Sequence, residues 1–378
     1  MSFKPFEDII IGGGIIGLSI GVELLKKYPS RRVLIIEKHR DVGYGQTGNN
    51  SNVLHSGIYY DPNSLKSKLC IEGNKLWKEY CINKHIPIQE SGKYIIATNK
   101  IEEKSLNRLI ENANSSNIPY RIVNQEELKN EKIKGKIGIF VKSTASLDFN
   151  IATQSLKSEF LKLGGSILFD EKVVQIDDGI VTTKSRLIIK CSKIILSAGL
   201  GVDSLYPSKN YFHLGFNGYY YKTPKFRKSD SLVYPAPNPQ FPFLGIHSCR
   251  NSSHFEYFGP NALPSFINTP EKQFLLKKGF YKLIWSLRRT GAKEILTSIS
   301  SFFFKKEIKK LFEVTELNLS KGFVGTRAQC VSSNGELIDD FIIDGDNHVI
   351  VLRNVPSPAA TSSLALAKFI LNNYYEKN

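Results

Sequence analysis

Residues 6–37 read FEDIIIGGGIIGLSIGVELLKKYPSRRVLIIE, and this stretch decides the fold of the chain. Residues 6–11 predict a short buried strand, and residues 33–36 predict a second one. Between them lie three glycines with the spacing GxGxxG, followed by apolar residues with the spacing of a helix. Strand, glycine-rich turn, helix and strand together form the unit that binds dinucleotides in Rossmann folds. The sequence therefore predicts an α/β protein with a Rossmann-like nucleotide-binding domain.

Each residue of the motif has a physical role in holding a dinucleotide. Gly12 allows the tight turn, Gly14 lets the backbone approach a pyrophosphate, and Gly17 lets the helix pack closely on the strand. Glu37 ends the second strand 20 residues after Gly17, where its carboxylate can accept hydrogen bonds from the adenosine ribose hydroxyls. The motif binds NAD in some proteins and FAD in others. Its place at the N-terminal end of this sequence favours FAD.

The composition is that of a globular protein. The chain has 378 residues, of which 41% are hydrophobic, and this apolar content excludes a disordered chain. Its length predicts roughly two domains. The apolar run 9–22 is too short for a bilayer span of about 20 residues and has no cleavage site, so we expect a cytoplasmic protein. Scattered cysteines without CxxC spacing argue against a disulfide scaffold or zinc site and for a reducing compartment; they are Cys70, Cys81, Cys191, Cys249 and Cys330.

Basic residues are concentrated in one part of the chain. The net charge is +16, from 51 Lys and Arg against 35 Asp and Glu, and half of this excess falls within residues 277–310. Apolar residues recur there at near-helical spacing, which is typical of a helix that lies on an anionic membrane surface, here the inner face. The alternative is a helix packed on its own domain with solvated lysines. Basic and aromatic residues do not alternate on predicted strands, so we expect no nucleic-acid partner.

Strands further along the sequence indicate that the nucleotide-binding domain is built from separated segments. Residues 173–176 and 179–189 have strand character, and residues 193–196 run into a turn of small residues that ends at Gly199. Such a turn again allows a ligand to approach the backbone closely. We therefore expect an FAD-binding domain from residues 1–85, 144–210 and 322–378, and a mixed-sheet substrate domain flanked by helices from residues 86–143 and 211–321.

Several blocks of sequence together resemble one family. Residues 47–60, TGNNSNVLHSGIYY, resemble the flavin-facing loop of the L-2-hydroxyglutarate oxidase/dehydrogenase family, which belongs to the D-amino-acid-oxidase-like FAD flavoproteins. The resemblance implies FAD as cofactor and oxidation of an L-2-hydroxy acid, L-2-hydroxyglutarate first, to the 2-oxo acid by hydride transfer to flavin N5. The other blocks follow in family order; they are residues 64–70, 241–247 (FPFLGIH), 259–262 (GPNA), 325–329 (GTRAQ) and 354–363 (NVPSPAATSS).

The chemistry implied by the resemblance needs a base for the hydroxyl proton and a cation for the substrate carboxylate. His55 and His247 lie in family blocks, and either can be the base because an imidazole titrates near physiological pH. Arg327 matches the arginine of the family pattern Gly-x-Arg-Ala-Gln, which implies a carboxylate clamp. Tyr59 is expected to present its hydroxyl to the substrate or the flavin. Lys66 is either a second anion contact or a solvated surface lysine.

The resemblance also implies which residues hold the flavin. Asn50 and Ser51 belong to the flavin-facing loop. Residues 354–363 predict a helix start behind two prolines, where backbone N–H groups without helical partners form a positive site. Set against the flavin pyrimidine, this site would stabilise the negative charge that reduction places at N1 and C2=O. The residues expected there are Pro358, Ala359, Ala360 and Thr361.

Three asparagines depart from the family pattern. Asn49 replaces a His or Arg, Asn52 replaces a glycine, and Asn217 replaces the arginine of a Phe-Arg-Gly element. Two positive groups are thereby lost, and a second substrate carboxylate needs a counter-charge when it leaves water. A different hydroxy-acid substrate therefore stays open, as do an amino-acid or amine oxidase of the same superfamily and a basic flavoprotein that binds RNA or lipid. The electron acceptor, a quinone or O2, and the membrane contact through residues 277–310 also stay open.

Overall fold

The computed structural model describes residues 6–239, 244–251, 254–265, 272–286 and 300–376. Residues 241–243 of the sequence block 241–247, and residues 287–299 of the basic segment 277–310, lie outside the described residues. Within the described ranges, no helix is both long and apolar enough to cross a membrane.

The strands account for most of the architecture. In chain order they are β1 (Asp8–Ile11), β2 (Val33–Ile36), β3 (Val53–Leu54), β4 (Ile88–Gln89), β5 (Lys93–Ala97), β6 (Arg121–Asn124), β7 (Ile137–Val141), β8 (Ala145–Leu147), β9 (Ser166–Leu168), β10 (Val173–Asp177), β11 (Ile180–Thr183), β12 (Ile188–Lys190), β13 (Lys193–Leu196), β14 (Tyr211–Pro224), β15 (Leu232–Pro235), β16 (His247–Asn251), β17 (Phe255–Gly259), β18 (Leu263–Ser265), β19 (Ser320–Ser332), β20 (Ile342–Gly345) and β21 (Val349–Asn354).

Four of the helices begin where the sequence supplies a side-chain cap. Ser64, Asn99, Asn124 and Asp148 each accept a backbone N–H from the first turn that follows, which satisfies a donor without a helical partner. The helices are α1 (Ile15–Lys27), α2 (Leu65–Lys84), α3 (Lys100–Ser115), α4 (Gln125–Asn130), α5 (Phe149–Lys162), α6 (Val202–Leu205), α7 (278–286), α8 (Ser301–Leu311) and α9 (Ala359–Ile370).

The central sheet is the nucleotide-binding sheet that the opening motif predicts. Its strand order is β20-β21-β13-β1-β2-β9, and all neighbouring strands are parallel except β20 and β21. Ile10 and Ile195 lie on one face, packed against α1, α2, α5 and α9. Ile9 and Ile194 lie on the other face, packed against α6 and the sheet β10-β11-β12. The predicted α/β class with a Rossmann-like domain is confirmed.

Two further sheets form the second part of the molecule. One has the order β15-β5-β7-β6, in which β15 runs parallel to β5 and the other pairs are antiparallel. The other has the order β16-β17-β14-β18, with β19 also paired to β14. The two sheets lie side by side. The Val233 N–H in β15 donates to Ser248 Oγ in β16 over 2.6 Å and connects them. Helices α3 and α8 pack on them, as the predicted mixed sheet flanked by helices requires.

The division of the chain into two domains stays a prediction, and two strand pairings cross its boundaries. β19 pairs with β14 along nearly its whole length, so residues 322–332 lie in the sheet of the substrate part although the prediction assigned them to the FAD-binding part. The small sheet β3-β8-β4 likewise joins strands from both parts. The two parts are therefore joined by shared sheets, one that contains β14 and β19 and one that contains β3, β8 and β4.

Two local predictions differ from the structure. Residues 179–189 are not one strand but the antiparallel pair β11 and β12, because the chain reverses at a turn closed by Thr183 and Leu187. The apolar residues 243–246 predict a strand that ends at His247. Residue 243 lies outside the described residues, and the described strand begins at His247 and continues to Asn251.

Candidate active site

A cleft of about 620 Å³ opens beyond the carboxyl ends of β1, β2 and β13 and against the start of α9. Parallel sheets bind ligands at this edge, and the volume falls within the ~300–1,000 Å³ usual for cofactor sites. Gly17, Tyr59 and His247 do not line the cleft. The sequence-predicted residues that do line it are Gly12, Gly14, Glu37, Asn50, Ser51, His55, Gly199, Arg327, Pro358, Ala359, Ala360 and Thr361.

The glycines of the motif are required by the close packing of the turn and leave space at its edge for a dinucleotide. A Cβ on Gly12 would lie 2.6 Å from the Ser197 carbonyl oxygen, and its φ of +110° favours glycine. A Cβ on Gly17 would clash with the Gly12 carbonyl oxygen, so this residue permits packing and does not face the ligand. A Cβ on Gly14 would meet only Thr47 Oγ1, at 3.4 Å, so its missing side chain leaves space in the cleft itself.

The carboxylate of Glu37 is fixed beside this glycine turn. Its Oε2 accepts the Gly13 N–H over 2.7 Å, and its Oε1 accepts the His39 N–H over 2.9 Å. The side chain is buried but borders the cleft. The hydrogen bonds that Glu37 is expected to accept from ribose hydroxyls stay a prediction.

The loop at the mouth of the cleft explains one departure from the family pattern. Asn52 has a φ of +57°, in the left-handed region that asparagine tolerates better than most residues with a side chain. Its Oδ1 accepts the Phe149 N–H over 3.4 Å, and its own N–H donates to Asn50 Oδ1 over 2.6 Å. Asparagine therefore takes the conformation of the usual glycine and adds a hydrogen bond.

The start of α9 is tied to the loop that carries His55. The His55 N–H donates to Thr361 Oγ1 over 3.1 Å, and Trp77 Nε1 donates to the Ala360 carbonyl over 2.9 Å. The prolines do not leave every amide open, because the Ala359 N–H already donates to the Pro356 carbonyl. The N–H groups of Ala360 and Thr361 precede the first bond of the helix and remain as the predicted positive site.

His55 is neutral in this site. Loss of hydration on burial lowers the pKa of its imidazole well below the ordinary value, and the charges of Lys93 and Arg327 lower this pKa further. Its backbone carbonyl accepts Asn74 Nδ2 over 2.9 Å, which ties the loop to α2 as well as to α9. A neutral imidazole at the wall of the cleft can accept a proton.

His247 lies behind the wall of the cleft. Its Nδ1 is 2.7 Å from the Gly245 carbonyl oxygen, which only accepts, so Nδ1 carries the proton. Its ring centroid lies 3.9 Å from that of Tyr234. The pKa of His247 is lowered to about 3, and burial is the largest cause of this shift. This placement favours His55 over His247 as the group that meets a substrate.

Arg327 reaches the cleft from β19. A Cβ on Gly325 would clash with the Asn49 carbonyl oxygen, so β19 lies directly against the loop that begins the family block. Asn49 borders the cleft, whereas Asn217 does not and accepts a hydrogen bond from Thr326 Oγ1 over 2.9 Å. The two asparagines that replace basic residues therefore have different surroundings.

The remaining predicted groups have partners outside the cleft. The Tyr59 hydroxyl donates to the Pro235 carbonyl over 3.5 Å, and burial raises its pKa well above the ordinary value. Lys66 is not the solvated lysine of the second interpretation, because it is buried and its Nζ donates to Asp339 over 2.6 Å.

Sequence reasoning missed two residues of this region. Tyr220 lines the cleft, with its ring stacked on that of Phe323 at a centroid distance of 4.2 Å. Lys93 begins β5, KYIIA, in which every residue is buried. A lysine at the head of an apolar strand is the signal that identifies Lys93, since lysine is almost never fully buried without a partner.

Comparison with known proteins identifies the family. A family model described as FAD dependent oxidoreductase matches residues 9–372. The chain is 36% identical to the L-2-hydroxyglutarate dehydrogenase of Indibacter alkaliphilus, over 96% of both proteins. It belongs to the L-2-hydroxyglutarate dehydrogenase family of FAD-dependent oxidoreductases. The chain is also 31% identical to the mitochondrial L-2-hydroxyglutarate dehydrogenase of Homo sapiens, over 100% of this chain and 90% of that protein. The resemblance read from the sequence blocks is confirmed.

Solved structures share the fold of this family member. The L-α-glycerophosphate oxidase of Mycoplasma pneumoniae, determined with FAD bound, superimposes with a TM-score of 0.78 and 21% identity over 98% of this chain and 96% of that chain. The glycine oxidase of Bacillus cereus gives a TM-score of 0.73 and 12% identity over 99% and 96%. The expected FAD-dependent oxidoreductase is confirmed, and the glycine turn and the cleft fit its cofactor.

Proposed function

We propose that this chain oxidises L-2-hydroxyglutarate to 2-oxoglutarate. The observation that carries the proposal is that neutral His55 and cationic Arg327 border the same cleft as the glycine turn, in a chain 36% identical to an L-2-hydroxyglutarate dehydrogenase. FAD, when bound, supplies the two-electron acceptor for the hydride that leaves the substrate carbon.

The cofactor would be held by residues of two helix starts that border the cleft. Gly12 and Gly14 give the pyrophosphate access to the backbone at the start of α1, and Glu37 would accept the ribose hydroxyls. The N–H groups of Ala360 and Thr361 at the start of α9 would face the flavin pyrimidine. Asn50, Ser51 and Gly199 complete the lining.

The chain itself supplies the base and the carboxylate clamp. His55 takes the proton of the substrate hydroxyl at an imidazole nitrogen, for which it must be neutral beforehand. Arg327 holds the carboxylate next to the reacting carbon through two parallel hydrogen bonds. Because the His55 loop is bonded to both Thr361 and Asn74, the base has a fixed position relative to the start of α9.

Identification of the product tests this proposal. We expect the purified flavoprotein to convert L-2-hydroxyglutarate to 2-oxoglutarate with an artificial electron acceptor, without release of ammonia. D-2-hydroxyglutarate serves as the matched control because it differs only in configuration. Turnover of glycine or another amino acid with release of ammonia, and none of L-2-hydroxyglutarate, would replace the proposal with the amine-oxidase alternative.

We also propose that the protein docks on an anionic membrane surface and passes its electrons to a quinone. Phe280 and Leu283 of α7 are buried, whereas Trp285 in the same helix is 68% exposed. Leu276, directly before the segment 277–310, is 88% exposed, and Phe302 in α8 is 69% exposed. Exposed apolar and aromatic side chains within the basic segment 277–310 have the composition of a peripheral membrane surface.

Vesicle sedimentation tests the docking surface. We expect the protein to sediment with phosphatidylglycerol vesicles more than with phosphatidylcholine vesicles, and Trp285→Ser to weaken this binding. Ile188→Ser is the matched control, since Ile188 is also 68% exposed but lies on β12. Equal binding by the two variants, or none by the parent, would contradict the contact. Faster oxidation of the reduced protein by O2 than by a soluble quinone would contradict the quinone assignment.

A further inference from the structure

Lys93 is a fully buried ammonium group in the core of the substrate part. Its Nζ lies 4.6 Å from the ring centroid of Tyr59 and 4.6 Å from that of Tyr234. Among the residues that the structure describes, Nζ has no hydrogen-bond partner. The faces of two aromatic rings attract a cation. They do not supply the oxygen acceptors that the three N–H groups of an ammonium group normally have.

Buried cations elsewhere in the described structure are paired with carboxylates. Arg227 donates to Glu256 over 3.1 Å, and both side chains are fully buried. Lys66, close to the same site, donates to Asp339 over 2.6 Å. Lys93 differs from both, because a buried charge without a partner destabilises the protein unless a ligand supplies the opposite charge.

The charges around Lys93 leave a place for an anion. Burial lowers the pKa of Lys93 to about 7. Among the described residues only Cys70 on α2 acts against this shift, and burial keeps Cys70 a neutral thiol by raising its own pKa to about 12. The same ammonium group acts on His55 and His247, as does Arg327. The described charge interactions of Lys93 are therefore with two histidines and a thiol, and none is with a carboxylate.

We propose that Lys93 is the counter-charge for the second carboxylate of a dicarboxylate substrate, while Arg327 binds the carboxylate next to the reacting carbon. Two cations then face the two carboxylates, and Lys93 supplies one of the two positive groups that are lost at Asn49 and Asn217. The inference rests on the proposed function, because it assigns the part of that substrate that distinguishes it from a simple hydroxy acid. Lys93, Tyr59 and Tyr234 do not line the cleft, so the proposal requires the second carboxylate to pass beyond the cleft wall to reach Nζ beside the two rings.

A purely electrostatic role for Lys93 makes a different prediction. The positive charge also helps to keep His55 neutral, and loss of this effect would impair every substrate to the same extent. A counter-charge instead discriminates between ligands with one and two carboxylates. Glutarate and pentanoate are suitable probes, because both have five carbons, lack a reactive hydroxyl and differ by one terminal carboxylate.

The experiment compares the affinity of the FAD-loaded protein for the two probes through the change in flavin absorbance. We expect the parent protein to bind glutarate more tightly than pentanoate. Lys93→Met should weaken glutarate binding about 100-fold, as loss of a charge-assisted hydrogen bond predicts, and leave pentanoate within about 3-fold. Lys93→Arg should keep a preference for glutarate. Lys66→Met is the matched control, since Lys66 is buried nearby but already paired, and it should keep the parent ratio.

The unmodified protein provides a second measurement that does not depend on folding of a variant. Because the cation is lost as pH rises through about 7, the preference for glutarate over pentanoate should decrease between pH 6 and pH 9. An unchanged preference in Lys93→Met, or an equal loss for both probes, would overturn the inference, as would a parent protein that does not prefer glutarate. Flavin reduction by L-2-hydroxyglutarate is followed separately: a Lys93-dependent preference for glutarate without such reduction would reject the proposed substrate and retain the dicarboxylate site.

Discussion

The backbone N–H of His55 donates to the hydroxyl of Thr361 over 3.1 Å, although the two residues lie 306 positions apart in the chain. The Thr361 hydroxyl in turn donates to the Val53 carbonyl over 3.4 Å. One side chain at the start of α9 thus holds the loop that carries the proposed base. The base and the proposed flavin-facing amides are positioned by the same residue.

Replacing Thr361 should therefore affect both stability and catalysis. Thr361→Val keeps the shape but leaves the His55 N–H without its acceptor, so we expect the free energy of unfolding to fall by about 1–3 kcal/mol. The turnover number should also fall, because His55 loses its fixed position. Thr361→Ser retains the hydroxyl and is the control for denaturant unfolding and for kinetics. Equal stability and turnover of the Val and Ser variants would show that the hydrogen bond does not position the loop.

Two glycines of the opening motif should respond differently to alanine. In Gly17→Ala the new methyl group meets the Gly12 carbonyl oxygen, so we expect a large loss of thermal stability. In Gly14→Ala the nearest atom is 3.4 Å away, so the protein should fold with a melting temperature near that of the parent. The methyl group then occupies the cleft, and FAD should be lost on dialysis. Normal FAD retention by Gly14→Ala would contradict the assignment of the pyrophosphate to this turn.

The role of Arg327 in binding the substrate can be tested separately from flavin binding. We expect Arg327→Ala to lower kcat/KM for L-2-hydroxyglutarate about 100-fold, because truncation removes a charged partner of the substrate carboxylate. The flavin absorbance spectrum should stay that of the parent. Arg327→Lys keeps the charge without the bidentate geometry and should be intermediate. Kinetics of Arg327→Ala that match the parent would discard the clamp.

The pH dependence of kcat/KM should reflect the lowered pKa of His55. A base is active when deprotonated, so activity is lost only as pH falls through the pKa of the folded protein. Since burial and nearby cations hold this pKa well below the ordinary value of 6.5, we expect no loss of kcat/KM as pH falls from 8 to the ordinary value. Loss of the Lys93 cation above about pH 7 would lower kcat/KM only on the alkaline side. Loss of activity already at about pH 7 would assign the proton transfer to another group. An amine substrate would instead show activity that rises at alkaline pH as its ammonium deprotonates.

The fold was predictable because its nucleotide-binding unit is local in sequence. Residues 6–37 contain strand, turn, helix and strand in succession, and the observed β2 (Val33–Ile36) has the predicted bounds. The role of β19 could not be read in the same way. Its pairing with β14 joins residues from 98 (Lys222 and Ser320) to 121 (Tyr211 and Ser332) positions apart, and hydrophobic periodicity does not specify such a partner.

The candidate site was partly predictable for a similar reason. Most of the proposed cofactor residues and both His55 and Arg327 border one cleft, because the sequence blocks that contain them fold to the same edge. His247 was placed less well, since the sequence does not reveal that its Nδ1 bonds to Gly245 and that its ring stacks on Tyr234. Lys93 was missed altogether, because its isolation from carboxylates is a property of the packed core and not of β5.

Anaerobic titration of the purified flavoprotein with L-2-hydroxyglutarate tests the central claim most directly. Absorbance of the oxidised flavin is recorded before and after addition of the substrate, with D-2-hydroxyglutarate and amino acids added to separate samples. We predict that L-2-hydroxyglutarate bleaches the flavin completely, with one 2-oxoglutarate formed for each flavin reduced. A protein whose flavin stays oxidised with L-2-hydroxyglutarate, or is bleached only by another compound, would contradict the proposed substrate.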